Sequence, residues 1–160
     1  MNTIDGFMYY NSNKNAGASQ SHKHLQVVPY ESFPTKLLFT KIERQLRNMN
    51  GLTTLPWFNF THAIYKFNFD ITRSPLRKSK LLYDAYRACK LAIHNNDLND
   101  GYNLVLTHKW MLLVKRRRDS YLGVKMNSMA FVGSFAVRTE SQCNIIEQVG
   151  PLSMLKAVCY

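Results

Sequence analysis

The run Gln20-Ser21-His22-Lys23-His24-Leu25-Gln26 concentrates groups that can do chemistry. An imidazole with one nitrogen free is a nucleophile toward phosphorus, provided the other nitrogen is tied to an acceptor that fixes the tautomer. A backbone carbonyl of the same strand can be that acceptor. A glutamine amide donates to anionic phosphoryl oxygens without competing as a base. The spacing predicts a strand over residues 22–28, closed by Pro29. With alternating side chains, His22, His24 and Gln26 share one face. Lys23, Leu25 and Val27 share the other, with the two apolar residues toward the core. The same pattern also describes two exposed strand histidines without chemistry, and spacing leaves both readings open. No third His or carboxylate stands at ligand spacing, so no metal site is expected.

The preceding segment, residues 11–18, is rich in Asn, Ser and Gly and reads as a loop. Gly17 can take a positive φ there. Such a loop can cradle phosphate oxygens with side-chain and backbone donors, although an ordinary turn has the same composition.

The elements that must position this run follow from periodicity. Residues 7–10 form a strand. Residues 33–50 form a helix with Leu37, Leu38, Ile42 and Leu46 at helical spacing, Ser32 as its cap, Pro34 in its first turn and Asn50-Gly51 at its end. Residues 60–69 alternate as a strand, and residues 71–80 are a basic linker. Residues 79–95 form a helix with Leu82, Tyr86, Cys89 and Ile93 on one face. Residues 102–107 and 110–114 form a hairpin with His108-Lys109 at its tip. Residues 115–119 are a basic loop, and residues 129–137 a further strand. Thr139 or Ser141 caps a final helix over residues 142–158, interrupted at Gly150-Pro151. His62, His94, the aromatics Phe58, Phe60, Tyr65, Phe67 and Phe69, and Met126, Met129 and Met154 read as structural. Five or six strands joined largely by loops, with three helices, predict an α+β fold around an antiparallel sheet.

At 160 residues the chain fits a single domain with a real core. An apolar fraction of 46% excludes a disordered chain. A net charge of +11 points to a partner carrying negative charge, whether nucleotides, nucleic acid or an anionic surface, and does not choose between them; a merely solvated basic surface has the same charge. Three cysteines without a Cys-x-x-Cys spacing predict neither a disulfide framework nor a thiolate zinc site. They predict a reducing compartment, cytoplasmic or nuclear. No apolar run reaches the ~20 residues of a membrane span, so no membrane partner is expected.

Asn11, Gly17-Ala18-Ser19-Gln20 and His22-Lys23-His24-Leu25-Gln26 together resemble the signature of diadenosine tetraphosphate phosphorylases, also called ATP adenylyltransferases. These are the transferase branch of the histidine-triad superfamily. Tyr102-Asn103-Leu104-Val105-Leu106-Thr107 with Trp110-Met111-Leu112-Leu113-Val114 resembles that family's late hairpin. Asn127-Ser128, Phe131, Gly133 and Gly150-Pro151 resemble its C-terminal block, here residues 102–158. The resemblance implies a histidine-triad-like antiparallel sheet with flanking helices over residues 1–160. It implies that diadenosine polyphosphate is split by phosphate into ATP and ADP through an adenylyl-histidine. His24 would be the nucleophile, supported by His22. Gln26 would contact the α-phosphate, and Asn11, Gly17, Ala18, Ser19 and Gln20 would hold phosphates. Asn127, Ser128 and Met129 would line the nucleotide site, with Ser134 and Arg138 further along. A divalent cation such as Mg would accompany the polyphosphate, with no covalent cofactor.

The chain departs from the family pattern at Asn13 and Ala130, where Gly is usual, before Lys115, where Pro is usual, and at Arg138, where Lys is usual. Family members are longer. Their N-terminal part supplies sheet strands, a substrate-contacting lysine and part of the base pocket. The resemblance therefore implies a sheet incomplete on its N-terminal side, with an open edge able to self-associate. A non-catalytic nucleotide-binding copy is the alternative, and a basic nucleic-acid-binding module ranks behind it.

Overall fold

Trp110-Met111-Leu112-Leu113-Val114 is apolar without alternation, the signature of a strand covered on both faces. The computed structural model, which describes residues 5–33, 37–68, 74–94 and 101–160, puts this run near the middle of a six-stranded sheet. In chain order the elements are β1 (Gly6–Asn11), β2 (Leu25–Pro29), α1 (Leu37–Gln45), β3 (Gly51–Thr53), β4 (His62–Lys66), α2 (Pro75–His94), β5 (Gly101–Leu106) and β6 (Trp110–Arg116). A small ribbon of β7 (Ser120–Tyr121) and β8 (Val124–Lys125) follows, then α3 (Glu140–Val149) and α4 (Pro151–Ala157). The sheet order is β2-β1-β5-β6-β4-β3, and every neighbouring pair is antiparallel. The α+β antiparallel expectation holds.

Alternation along β6 divides the core in two. Trp110, Leu112 and Val114 join Phe7, Phe39, Ile42, Phe131 and Met154 in the larger cluster. Met111 and Leu113 join Ala63, Phe67 and the α2 residues Ala85, Cys89 and Ile93 on the opposite face. Each large side chain so buried contributes about 1.5–3 kcal/mol. Together the two layers hold the β1–β5–β6 platform rigid beneath the histidine run.

Several expected boundaries move, each for a physical reason. The strand expected from residue 22 begins at Leu25, because its ladder with β1 starts only at the Tyr10–Leu25 pair. His22 and His24 therefore precede the strand. Leu25 and Val27 are not directed at the core but are 56% and 48% exposed. Helix α2 packs on β3, β4 and β6, leaving the β1–β2 end of that face uncovered. Asn11, expected in a loop, closes β1.

The helix expected over 33–50 is shorter. Residues Tyr30–Ser32 form a 3-10 turn, α1 starts at Leu37, and Gly51 at φ 71° opens the unexpected strand β3. Pro34 lies outside the described residues. The strand over 60–69 shortens to β4, and Phe69 is outside the described residues. The expected linker 71–80 is not one, since Pro75 starts α2, where its missing N–H costs nothing; residues 71–73 and 95 are outside the described residues. Lys115 and Arg116 extend β6 instead of opening a loop.

Residues 129–137 are not a strand. Ser128–Val132 form a 3-10 helix with Ser128, Ala130, Phe131 and Val132 all buried, a pattern no half-buried strand allows. Gly150 at φ 85° and Pro151 split the final helix into α3, capped by the Thr139 hydroxyl, and α4. Eight strands and four α-helices are thus present among the described residues, against five or six and three expected. No described helix is long and apolar enough to cross a membrane.

Candidate active site

β1 and β2 lie side by side with Tyr9 opposite Gln26, and the Tyr9 hydroxyl donates to Gln26 Oε1 at 2.7 Å. After β1 the chain enters a 3-10 turn over Lys14–Ala16, capped by Asn13, whose Oδ1 accepts from Ala16 N at 3.1 Å. Asn13 packs so closely on Gly101 that a Cβ there would overlap its side-chain oxygen. Ser12 ties the turn to β5: its Oγ accepts from Tyr102 N at 2.7 Å, and its N–H donates to Tyr102 O at 3.0 Å. Gly17 leaves the turn at φ 82°, where a Cβ would stand 2.7 Å from Met126 O. That close approach locks the loop onto the segment before Asn127.

The chain then returns toward β2, and one small cleft is lined by Asn11, Ala18, Ser19, Gln20, His22, His24 and Gln26. The two imidazole ring centroids are 5.7 Å apart and the rings are tilted by 33°. Both histidines are exposed, and neither ring has a hydrogen-bond partner among the described residues. The expected strand carbonyl thus does not fix either tautomer, because His22 and His24 lie outside the ladder. Each ring keeps its nitrogens open to a ligand.

Asn11 has a buried foundation. Its Oδ1 accepts from Asn103 Nδ2 at 2.6 Å and Ser128 N at 2.9 Å, and lies 2.7 Å from Ser128 Oγ. Asn103 Nδ2 also donates to Ala16 O at 2.8 Å. Asn103 Oδ1 accepts from an Arg116 guanidinium nitrogen. Arg116 is fully buried, and it donates further to Arg118 O at 2.7 Å, Met126 O at 3.0 Å and Val158 O at 3.3 Å. The face of Phe131 lies 5.5 Å from its guanidinium carbon. Burial pulls Arg116 down to about 10, against the opposing pull of Cys159 and Asp119, which leaves it charged at neutral pH.

Sequence reasoning missed Asn103 and Arg116. A signal for both was present: period two carried past Val114 puts Arg116 on the face of Trp110 and Leu112, and Asn103 is a lone amide in an apolar strand. The rest of the basic run is tied down as well. Arg117 and Arg118 donate to Ala157 O at 3.2 and 2.8 Å, in the last turn of α4.

The other expected site residues divide. Ser128 is buried beneath Asn11, and the one proton of its hydroxyl lies between Asn11 Oδ1 at 2.7 Å and Tyr10 O at 2.8 Å. Asn127 caps the 3-10 helix through Oδ1, which accepts from Met129 N at 2.9 Å. Met129 packs half-buried against the larger core cluster. None of the three lines the cleft, and of them Ser128 bonds the side chain of Asn11, which does. Ser134 and Arg138 are not brought to it: Ser134 N donates to Met129 O at 3.0 Å, and Arg138 N donates to Gln142 Oε1 at 2.8 Å.

His62 is structural. Its Nε2 accepts from Leu55 N at 2.7 Å and its Nδ1 donates to Phe60 O at 2.8 Å. Burial pushes this imidazole below its ordinary value, against the opposing effect of the Phe60 hydrogen bond. His94 is buried with its ring edge-on to Tyr102. Among the described residues no three His, Cys, Asp or Glu side chains gather to hold a metal ion.

In this α+β domain two imidazoles and the amides of Asn11, Gln20 and Gln26 surround one small cleft at the edge of the sheet. The comparisons with known proteins narrow the class. Residues 55–160 match the ATP adenylyltransferase C-terminal domain, and residues 1–47 match the Ap4A phosphorylase N-terminal domain. The chain belongs to the Ap4A phosphorylase/ATP adenylyltransferase family. The two matched regions meet within one sheet, since β1 pairs with β5. Protein APA1 of Saccharomyces cerevisiae is 26% identical over 152 residues, covering 83% of this chain and 45% of that protein. The crystal structure of yeast Ap4A phosphorylase Apa2 in complex with AMP superposes with a TM-score of 0.73 at 21% identity, covering 97% of this chain and 56% of that one. The Ap4A complex of the same enzyme gives 0.70 at 19% identity, covering 99% and 56%. The chain thus spans about half the length of the relatives it matches.

Proposed function

We propose that this chain carries the nucleophile of a nucleotidyl transfer, with His24 attacking the α-phosphorus of a diadenosine polyphosphate. The observation that carries the proposal is the convergence of His24, His22, Gln26, Asn11 and the 18–20 loop on one cleft. A ring nitrogen of His24 forms a bond to phosphorus as the bridging P–O bond breaks. From diadenosine tetraphosphate, ATP departs and an adenylyl-histidine remains. Inorganic phosphate then attacks the same phosphorus, the P–N bond breaks, and ADP leaves. Gln26 and Asn11 supply amide N–H donors to the phosphoryl oxygens, where positioned donors stabilise developing charge. Ala18, Ser19 and Gln20 close the cleft on its loop side. His22, whose ring stands beside that of His24, shapes the approach. The described residues offer no side-chain set for a divalent cation, so a cation accompanying the reaction would travel on the polyphosphate.

The membership of the chain in its family supports this reading. Incubation of the chain with diadenosine tetraphosphate should add one adenylyl mass to the intact protein, and His24→Ala should abolish the adduct. Label that persists in His24→Ala, or a wild-type chain that binds the dinucleotide without ever acquiring the adduct, refutes the mechanism. The second of these results would instead establish a non-catalytic nucleotide-binding copy.

A further inference from the structure

We infer that Arg116 and Asn103 are positioning residues that decide which atom of the Asn11 amide meets the ligand. The inference rests on the reading of the cleft as a phosphate-holding site and adds the device that orients one of its donors.

Guanidinium and main-chain N–H groups can only donate, and main-chain carbonyls can only accept. A guanidinium has donors and no acceptor, so the atom of Asn103 that meets Arg116 must be its oxygen. The amide nitrogen of Asn103 then points the other way. It meets Ala16 O, a carbonyl that can only accept, at 2.8 Å, and Asn11 at 2.6 Å. The second fixed end is the main-chain N–H of Ser128, which can only donate and lies 2.9 Å from the same Asn11 atom. Two independent donors therefore require that atom to be Oδ1; the Ser128 hydroxyl, whose single proton lies between Asn11 Oδ1 at 2.7 Å and Tyr10 O at 2.8 Å, does not decide it.

Asn11 lines the cleft, and with Oδ1 so engaged its Nδ2 is the polar group left for a ligand. A turned amide would set two N–H groups against Asn103 Nδ2 and Ser128 N. Burial gives the relay its force: Asn103 is 1% exposed, and Arg116 and Ser128 are 0% exposed, so water cannot replace a lost partner. On the other wall the Tyr9 hydroxyl donates to Gln26 Oε1 at 2.7 Å, a contact that a hydroxyl, able to give or take, does not fix in the same way. Burial pushes the Tyr9 phenol up, which keeps its proton in place. The Asn11 amide consequently turns its donor to the cleft. At this wall of the cleft that donor favours a group that accepts, such as an ionised phosphoryl oxygen.

The test reads the side-chain amides of the intact chain by water-exchange NMR and follows AMP as the probe. In the wild type, the Nδ2 protons of Asn103 should be protected and those of Asn11 should exchange with water. AMP should shift the Asn11 pair. Asn103→Asp keeps an acceptor for Arg116 but removes the donor to Asn11 and Ala16, and AMP affinity should fall about tenfold or more. A protected Asn11 pair with an exchanging Asn103 pair in the wild type overturns the relay without any variant having to fold. An AMP response that is equal in size and affinity in the wild type and Asn103→Asp also overturns the relay, while leaving the cleft an adenylate site. If AMP leaves the wild-type Asn11 pair unmoved, the adenylate reading fails, and the ligand role assigned to Arg116 and Asn103 fails with it.

Discussion

Replacing Gly17 by alanine separates two costs that usually arrive together. Gly17 and Gly123 both sit in the left-handed region, at φ 82° and 76°. An L-residue there costs about 1–2 kcal/mol, and the loss of glycine's freedom in the unfolded chain returns about 0.4–1 kcal/mol. Both terms are common to the two positions. They differ in space: a Cβ at Gly123 meets nothing within 4 Å, whereas one at Gly17 would stand 2.7 Å from Met126 O and 3.1 Å from Asn127 Cβ. Met126 O cannot simply retreat, because Arg116 holds it at 3.0 Å. Overpacking of this kind costs about 1–3 kcal/mol, so Gly17→Ala should be less stable than Gly123→Ala by about that amount. With a urea m-value of about 2 kcal/mol/M, the midpoints should differ by about 0.5–1.5 M. Equilibrium urea unfolding of the two variants, followed by tryptophan fluorescence, measures this. Equal midpoints would refute the claim that the loop at Gly17 is locked onto the Met126–Asn127 segment.

Two further outcomes follow from single groups. His62 is held neutral by burial, so the unfolded chain takes up its proton first as pH falls through the ordinary value of 6.5. Its contribution is therefore present above that pH and lost progressively below it. Urea midpoints between pH 8 and 5 should fall toward acid, and His62→Asn should flatten that part of the slope. The Thr139 hydroxyl caps α3 by accepting from Gln142 N at 3.3 Å. Thr139→Ala should cost about 1 kcal/mol, and thermal unfolding would show it as a lower midpoint, whereas an unchanged midpoint would mean the cap does not stabilise the helix.

Much of the site was legible in the chain because its components are local. The 17–26 run keeps two histidines, a glutamine and the loop before them within one short stretch, and folding brings Ala18, Ser19, Gln20, His22, His24 and Gln26 to one cleft, with Gly17 outside its lining. The apolar continuity of 110–114 announced a doubly covered strand, and Pro75, Thr139 and Gly150-Pro151 marked helix ends by their own backbone chemistry. Expectations failed where the outcome depended on a distant partner. Nothing local says that β1 stops pairing at Leu25, so the histidines were assigned to a strand they only precede. Nothing local says that α2 covers one end of the sheet and not the other, which leaves Leu25 and Val27 in solvent. The basic-loop reading of 115–119 failed because charge outweighed the period that carries Arg116 onto the face of Trp110 and Leu112, and the strand read over 129–137 failed because local pattern cannot report that Ser128, Ala130, Phe131 and Val132 are all buried.

The sequence by itself determined which groups stand in the cleft, since the imidazoles, the amide and the glycine loop are neighbours along the chain. Tertiary structure alone decided how one of them is turned. Asn11 meets Asn103 across 92 residues and Ser128 across 117, with Arg116 behind them. The polarity of a buried hydrogen bond is set by its partner, and that partner is chosen only when the sheet closes.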